Sequence, residues 1–104
     1  MELAEARGAA QAELDTFSSS DNPLQLVDDA DVADVGWAWV YAWSTARWFQ
    51  TRDPADAPGP GMGPVVVLKD TGETFHLGSA PSFDEQLAEY AREHGLPAPA
   101  PLGW

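Results

Sequence analysis

The chain of 104 residues contains no cysteine, which excludes both a disulfide framework and a zinc site built from cysteine thiolates. It also lacks long apolar runs, since none approaches the roughly 20 residues that a helix needs to span a bilayer. The first residues, Met1 to Glu5, lack the basic segment and the following apolar segment of a secretory signal. We therefore expect a cytoplasmic protein that does not enter a membrane.

Basic residues are scarce, because only five lysines and arginines stand against 17 aspartates and glutamates, for a formal net charge of −12. Nucleic acids and anionic membranes are bound by cationic surfaces, which five scattered basic residues cannot build. We expect neither of them as a partner. Two interpretations of the charge stay open: it serves solubility alone, or it steers the protein onto a basic protein partner.

Catalytic motifs are also missing. The sequence contains no HExxH, GxSxG, P-loop or GxGxxG pattern, and the glycine-rich stretch 59–63 lacks the lysine and the following helix of a phosphate site. Of the two histidines, we expect His76 in a strand and His94 at a helix end, where both have structural roles. We expect no enzyme, no cofactor and no metal site. Catalysis would require one of these histidines to meet an acidic side chain in a pocket.

Aromatic residues are concentrated in one stretch, Gly36–Trp43, where large aromatic and small aliphatic residues alternate. This period of two predicts a strand with four aromatic side chains on one face, namely Trp37, Trp39, Tyr41 and Trp43. Three interpretations of that face stay open: core beneath the helices, an exposed interaction surface, or a face covered by the loop and the tail. We favour the core, because the apolar faces of the predicted helices are small and rich in alanine.

The rest of the sequence predicts helices before and after the strands. Apolar residues at three- and four-residue steps predict a helix over 2–18, and a second helix begins after the capping residue Ser82 and ends at Gly95. Apolar runs predict strands over 24–28, 64–69 and 73–77, the last two joined by a tight turn. Residues 44–50 either extend the aromatic strand or form a turn, and 51–63 is predicted to be a loop.

The order helix, hairpin, hairpin, helix predicts an α+β fold. We expect an antiparallel meander of about four strands, with an N-terminal and a C-terminal helix packed on one face. The length fits one domain, which we place at 1–96. Residues 97–104 are rich in proline and are expected to form an extended tail.

The acidic segment 28–34 is only superficially similar to a calcium-binding loop. It lacks the central glycine and the closing glutamate that such a loop needs, and no helix is predicted on either side of it. We interpret it as a solvated acidic turn that is available to a basic partner.

Several short motifs, taken in order, resemble one known family. They are Gly36-Trp37 leading the aromatic strand, residues Ser44 to Phe49, the strand Pro64–Val67, the turn Asp70–Glu73, and Leu77–Pro81 before a helix ending near Tyr90. This order is similar to the immunity protein 35 (YrhB-like) family of bacterial polymorphic toxin systems, over roughly residues 24–92. The longer loop at 54–63 and the proline-rich tail depart from the family pattern. The resemblance implies a small α+β protein that neutralises a toxin by binding it and has no catalytic residues.

The resemblance and the charge lead to one hypothesis and one alternative. The hypothesis is that the protein binds a basic cognate toxin domain, for example a nuclease, and covers its functional surface. The expected contact residues are six aspartates and one tryptophan: Asp28, Asp29, Asp31, Asp34, Trp48, Asp53 and Asp56. The alternative is a holdase-like or scaffold protein that uses an exposed aromatic sheet face.

Overall fold

A computed structural model describes residues 2–18, 23–56, 63–78 and 81–102 of the chain. These residues form the helices α1 (Leu3–Asp15), α2 (Ala46–Thr51) and α3 (Phe83–His94). They also form the strands β1 (Leu24–Leu26), β2 (Ala33–Asp34), β3 (Ala38–Tyr41), β4 (Trp43–Thr45), β5 (Val65–Leu68) and β6 (Thr74–His76). Two short 3₁₀ turns lie at Asp29–Asp31 and Pro54–Asp56. The predicted α+β class, with a helix before and after the strands, is confirmed.

Both terminal helices form where their local sequence predicts them. In α1, Ala6, Ala10 and Leu14 follow one another at four-residue steps, and all three are buried. In α3, the Ser82 hydroxyl accepts a hydrogen bond from the Glu85 amide at 3.3 Å, as expected of an N-cap residue.

The main sheet is antiparallel, with the strand order β2-β3-β5-β6. The turn between β5 and β6 contains Gly72, which has a φ of 75° and donates its amide hydrogen to the Leu68 carbonyl oxygen at 2.8 Å. A positive φ favours glycine over residues with a Cβ atom. The predicted hairpin at this position is confirmed.

The aromatic stretch is interrupted at Ala42 and contributes to two sheets. Strand β4 pairs with β1 in a separate two-stranded sheet, where Leu26 lies opposite Trp43. Strand β3 pairs with β2, where Ala33 lies opposite Val40. The first of the two predicted hairpins, which pairs residues 24–28 with the aromatic strand, therefore consists of two ladders. The 3₁₀ turn after β1 separates these ladders along the chain.

The two terminal helices lie on opposite faces of the main sheet, and the expectation that they share one face is wrong. Leu14 of α1 belongs to one core cluster with Val65 and Val67, whereas Leu87 of α3 belongs to a second cluster with Val66. Successive side chains of a strand point to opposite faces. Because β5 is apolar at every position, each of its two faces has to be covered by apolar side chains.

The aromatic residues of β3 and β4 face α1. Tyr41 is fully buried there, and its hydroxyl donates a hydrogen bond to the Leu3 carbonyl oxygen at 3.2 Å. Burial raises the pKa of Tyr41 to about 12. Trp39 and Trp43 pack against the same cluster and are partly buried. The core interpretation holds for these three residues.

Trp37 lies on the other side of the sheet, contrary to the predicted common face. It precedes β3 in a turn where Gly36 has a φ of 107°, so the strand alternation does not extend to it. Its ring stacks on Tyr90 of α3 at 5.4 Å, and its indole nitrogen donates to the Pro97 carbonyl oxygen at 3.2 Å. The aromatic row is therefore divided between the two faces.

The described part of the tail, residues 97–102, contains no helix or strand, and its Leu102 packs on the α3 side of the sheet. Leu102 is buried in the same cluster as Leu87, and its amide donates to the Asp84 carboxylate at 3.1 Å. Trp104 lies outside the described residues. The domain boundary that we expect after residue 96 stays a prediction.

Substitution of two adjacent valines in β5 tests the two-sided core. We expect Val66→Ala and Val67→Ala each to lower the free energy of unfolding by about 1–3 kcal/mol, because each removes buried methyl groups from a different face. Urea denaturation measures both values, and Phe17→Ala, at a residue 43% exposed, is a control with a smaller expected loss. If either valine variant were as stable as the parent protein, one sheet face would be solvated and the account would fail.

Candidate partner-binding site

The chain leaves the sheet at Thr45, whose buried hydroxyl fixes the orientation of α2. Its oxygen accepts a hydrogen bond from the Trp48 amide at 3.0 Å, which makes Thr45 the N-cap of the helix. The same hydroxyl donates to the Asp56 carbonyl oxygen at 2.5 Å. Both α2 and the 3₁₀ turn that follows it are therefore attached to the end of β4. Residues 44–50, for which the sequence does not distinguish a strand extension from a turn, complete β4 and begin this helix.

A cation–π cluster lies at the end of α2. Arg52 caps the helix in the left-handed conformation, with φ 55° and ψ 21°, which is uncommon for a residue with a side chain. Its guanidinium carbon lies 4.4 Å from the ring centroid of Trp48 and 5.4 Å from that of Phe49. The two rings meet edge to face at 5.3 Å. Both rings remain partly exposed, so this cluster forms part of the surface.

A cleft of about 510 Å³ is lined by residues of α2 and of the segment that contains and follows β1. We name it the α2 cleft. Its lining includes carboxylates, an amide, aromatic rings and a guanidinium, contributed by Asp28, Asp31, Gln25, Trp48, Phe49 and Arg52. The volume is within the range of roughly 300–1,000 Å³ that is typical of ligand sites. Three of the expected contact residues, Asp28, Asp31 and Trp48, are brought together here.

Asp29 is directed away from this cleft by an ion pair with α1. Its Oδ1 lies 2.9 Å from Nη1 of Arg7, which also donates to the Val27 carbonyl oxygen at 2.8 Å. The arginine thus ties the acidic segment to α1, and the Asp29 carboxylate is already partly neutralised.

Asp34 is also paired, at the end of the β2–β3 hairpin. Its Oδ1 lies 2.7 Å from Nζ of Lys69 and accepts the Gly36 amide at 2.9 Å. The hydrogen bond from the Lys69 ammonium lowers the pKa of the Asp34 carboxyl most strongly, and the Gly36 amide adds to this, while partial burial opposes the shift. Asp34 does not line the α2 cleft.

Asp53 and Asp56 stabilise the turn after α2. The Asp53 carboxylate accepts the Ala55 amide at 2.9 Å. The Asp56 carboxylate accepts the Thr51 hydroxyl at 2.6 Å and lies 3.5 Å from Nε of Arg47. Their side-chain oxygens thus accept hydrogen bonds from nearby residues of the same segment, and neither residue lines the α2 cleft.

The two cleft carboxylates differ in their pairing from Asp29, Asp34 and Asp56. Within the described ranges, neither Asp28 nor Asp31 forms an ion pair, whereas Asp29, Asp34 and Asp56 each do. Both cleft aspartates are exposed. The α2 cleft therefore combines two carboxylates that form no ion pair with an aromatic wall on which one guanidinium, that of Arg52, is stacked.

Sequence reasoning missed the other side chains of this wall, Phe49 and Arg52. Arg52 follows Phe49 by three residues and Trp48 by four, and on a helix these spacings bring side chains together. The signal for that helix is Thr45, because threonine is a good N-cap residue.

The histidines make contacts outside the cleft. His76 Nδ1 lies 3.4 Å from Glu13 Oε1, and the His94 ring stacks on Tyr90 at 4.0 Å. In the part of the chain that the structure describes, no group of three or more histidine and acidic side chains is placed to hold a metal ion. The same part contains no helix of the length and apolar character needed to cross a membrane.

Comparison with known proteins relates the chain to one family. The family model described as immunity protein 35 matches residues 4–93. The chain is also similar to the uncharacterized protein YrhB of Escherichia coli (strain K12), with 30% identity over 83 residues that cover 73% of this chain and 84% of YrhB. No solved structure matches the chain. The residues that line the α2 cleft all fall within the matched region.

Replacement of the capping hydroxyl tests how α2 is held. We expect Thr45→Val to lower the free energy of unfolding by about 1–3 kcal/mol, because the Trp48 amide loses its acceptor and the Asp56 carbonyl loses its donor. Thr16→Val is the matched control, since its exposed hydroxyl donates only to the Glu13 carbonyl oxygen and its loss should cost less than about 0.5 kcal/mol. Equal losses in a urea titration would show that Thr45 does not fix α2.

Proposed function

The chain belongs to the immunity protein 35 family, and on this premise we propose that it binds and neutralises a cognate bacterial toxin domain without catalysing a reaction itself. The match of the family model over residues 4–93 is the observation that carries the proposal. We place this activity in the cytoplasm. The absence of cysteine from the chain is compatible with that compartment.

The α2 cleft is the surface that we propose for the toxin. Tryptophan and arginine are enriched among the residues that dominate interface energetics, and Trp48 and Arg52 are stacked there. Trp48 belongs to neither core cluster and is partly exposed, so it is available to a partner without unfolding of the sheet.

We propose that the toxin surface is basic. A net charge of −12 accelerates association with a cationic partner, and the carboxylates of Asp28 and Asp31 have no competing ion pair in the described residues. A nuclease domain fits this requirement, because its nucleic-acid site is cationic and a bound acidic protein would cover it. Asp29, Asp34, Asp53 and Asp56 would contribute mainly to the long-range field, since their oxygens are already used within the chain. 

The alternative function, a holdase or scaffold, requires an aromatic sheet face that is open to solvent. Tyr41 is fully buried under α1, and Trp39 and Trp43 are partly buried against the same cluster. Trp37 stacks on Tyr90 on the other side. The described residues thus offer no open aromatic sheet face, and we propose no second function.

Co-expression with the gene of a candidate cognate toxin tests the proposal. We expect cells to survive toxin expression only when this protein is present, and the two proteins to elute as one complex in gel filtration. Unchanged toxicity together with separate elution would contradict a neutralising role.

A variant at the cleft tests the proposed surface in the same system. Trp48→Ala should raise the Kd of the complex at least about 10-fold in isothermal titration calorimetry, because it removes the central aromatic contact. Phe17→Ala, an exposed aromatic residue outside the cleft, is the matched control and should leave the Kd unchanged. If both variants bound as tightly as the parent protein, the contact surface would lie elsewhere.

A further inference from the structure

The α2 cleft is lined by carboxylates and aromatic rings, the two kinds of group that guanidinium groups contact in proteins. Asp28 and Asp31 line it, and neither forms an ion pair within the described part of the chain. The other aspartates of the same acidic segment, Asp29 and Asp34, are matched with Arg7 and Lys69. The negative charge that remains available in this segment is therefore the charge at the cleft.

The aromatic wall of the cleft already holds one guanidinium, that of Arg52. Its guanidinium carbon lies over Trp48 at 4.4 Å, and Phe49 is within 5.4 Å. Among the described residues Arg52 forms no ion pair, so stacking on these rings is the contact that holds its side chain. An exposed cation–π contact of this kind is weak, and a competing cation with carboxylate partners can displace it.

We infer that the α2 cleft takes one arginine side chain of a basic protein, which pairs with Asp28 and Asp31 and replaces Arg52 on the face of Trp48. This inference rests on the proposed function, since the protein that supplies the arginine is the toxin. Arginine fits better than lysine, because its planar guanidinium both stacks on an aromatic ring and forms two parallel hydrogen bonds to a carboxylate.

If an incoming arginine binds in this way, Arg52 opposes its binding. This residue is a competitor for the Trp48 ring and carries the same charge as the incoming group. Its removal should therefore strengthen binding, although most substitutions at a contact surface weaken it.

An acetylated hexa-arginine peptide tests the site without the toxin. We expect it to shift the indole N–H signal of Trp48 in an NMR titration, with the signal assigned from Trp48→Phe. The double variant Asp28→Asn, Asp31→Asn should bind the peptide about 5- to 10-fold more weakly. The double variant Asp15→Asn, Asp70→Asn removes the same charge at exposed aspartates outside the cleft, and should change the Kd less than about 2-fold.

Arg52→Gln tests the competition. It should tighten peptide binding about 3- to 10-fold, whereas Arg92→Gln, with the same change of charge at an exposed residue of α3, should stay within about 2-fold of the parent. The inference would be overturned if the two arginine variants changed the peptide Kd equally, or if the two aspartate double variants did. It would also be overturned if the indole N–H signal of Trp48 did not shift. Equal affinity for a hexa-lysine peptide would overturn the preference for arginine.

These outcomes are separable from those of the proposed function. If co-expression protects cells but the peptide does not engage the cleft, the arginine site is wrong and toxin neutralisation stands. If the peptide binds at Trp48 as expected and co-expression does not protect cells, neutralisation is wrong and the arginine site stands.

Discussion

Strand β5 has to be covered on both faces, and much of the architecture follows from that requirement. Val65, Val66 and Val67 are adjacent in the chain and all buried, although adjacent side chains point to opposite faces of the sheet. Burial of one such side chain is worth roughly 1.5–3 kcal/mol, so a sheet covered on one face only would lose a large part of its stability. Because α1 and α3 lie on opposite faces, the side chains of all three valines are covered. This arrangement also covers both faces of the described main sheet, and α2 lies outside that sheet, at its periphery.

The candidate site lies at this periphery, and the sequence predicted its members only in part. Asp28, Asp31 and Trp48 were expected to contact a partner, and the structure brings them into one cleft. Asp29 and Asp34 are predicted as partner contacts too, but they do not line the cleft. Asp29 pairs with Arg7, 22 positions away along the chain, and Asp34 pairs with Lys69, 35 positions away. Partners so distant become neighbours only through the tertiary fold. A local acidic pattern therefore cannot distinguish paired carboxylates from those that remain available.

The same distinction between local and distant causes explains which elements of the fold were predictable. Helix α3 and the β5–β6 hairpin depend on local signals, such as the cap at Ser82 and the positive φ of Gly72, and both were predicted. The motif order also identified the family, which the match over 4–93 confirms. Helix α2 is rich in aromatic residues that favour strands, so its formation depends on the cap at Thr45. The face of the sheet against which each helix packs is set by tertiary contacts, so the hydrophobic periodicity of the sequence does not predict it.

The main sheet is covered on both faces, and the α2 cleft is the surface that we propose for the toxin. Hydrogen–deuterium exchange of the free protein and of its toxin complex measures this most directly, because it locates the backbone amides that binding protects. We predict increased protection at residues 25–31 and 46–52, and no change in β5 or α3. Protection confined to α3 or to the β5–β6 hairpin, with none around α2, would contradict the account.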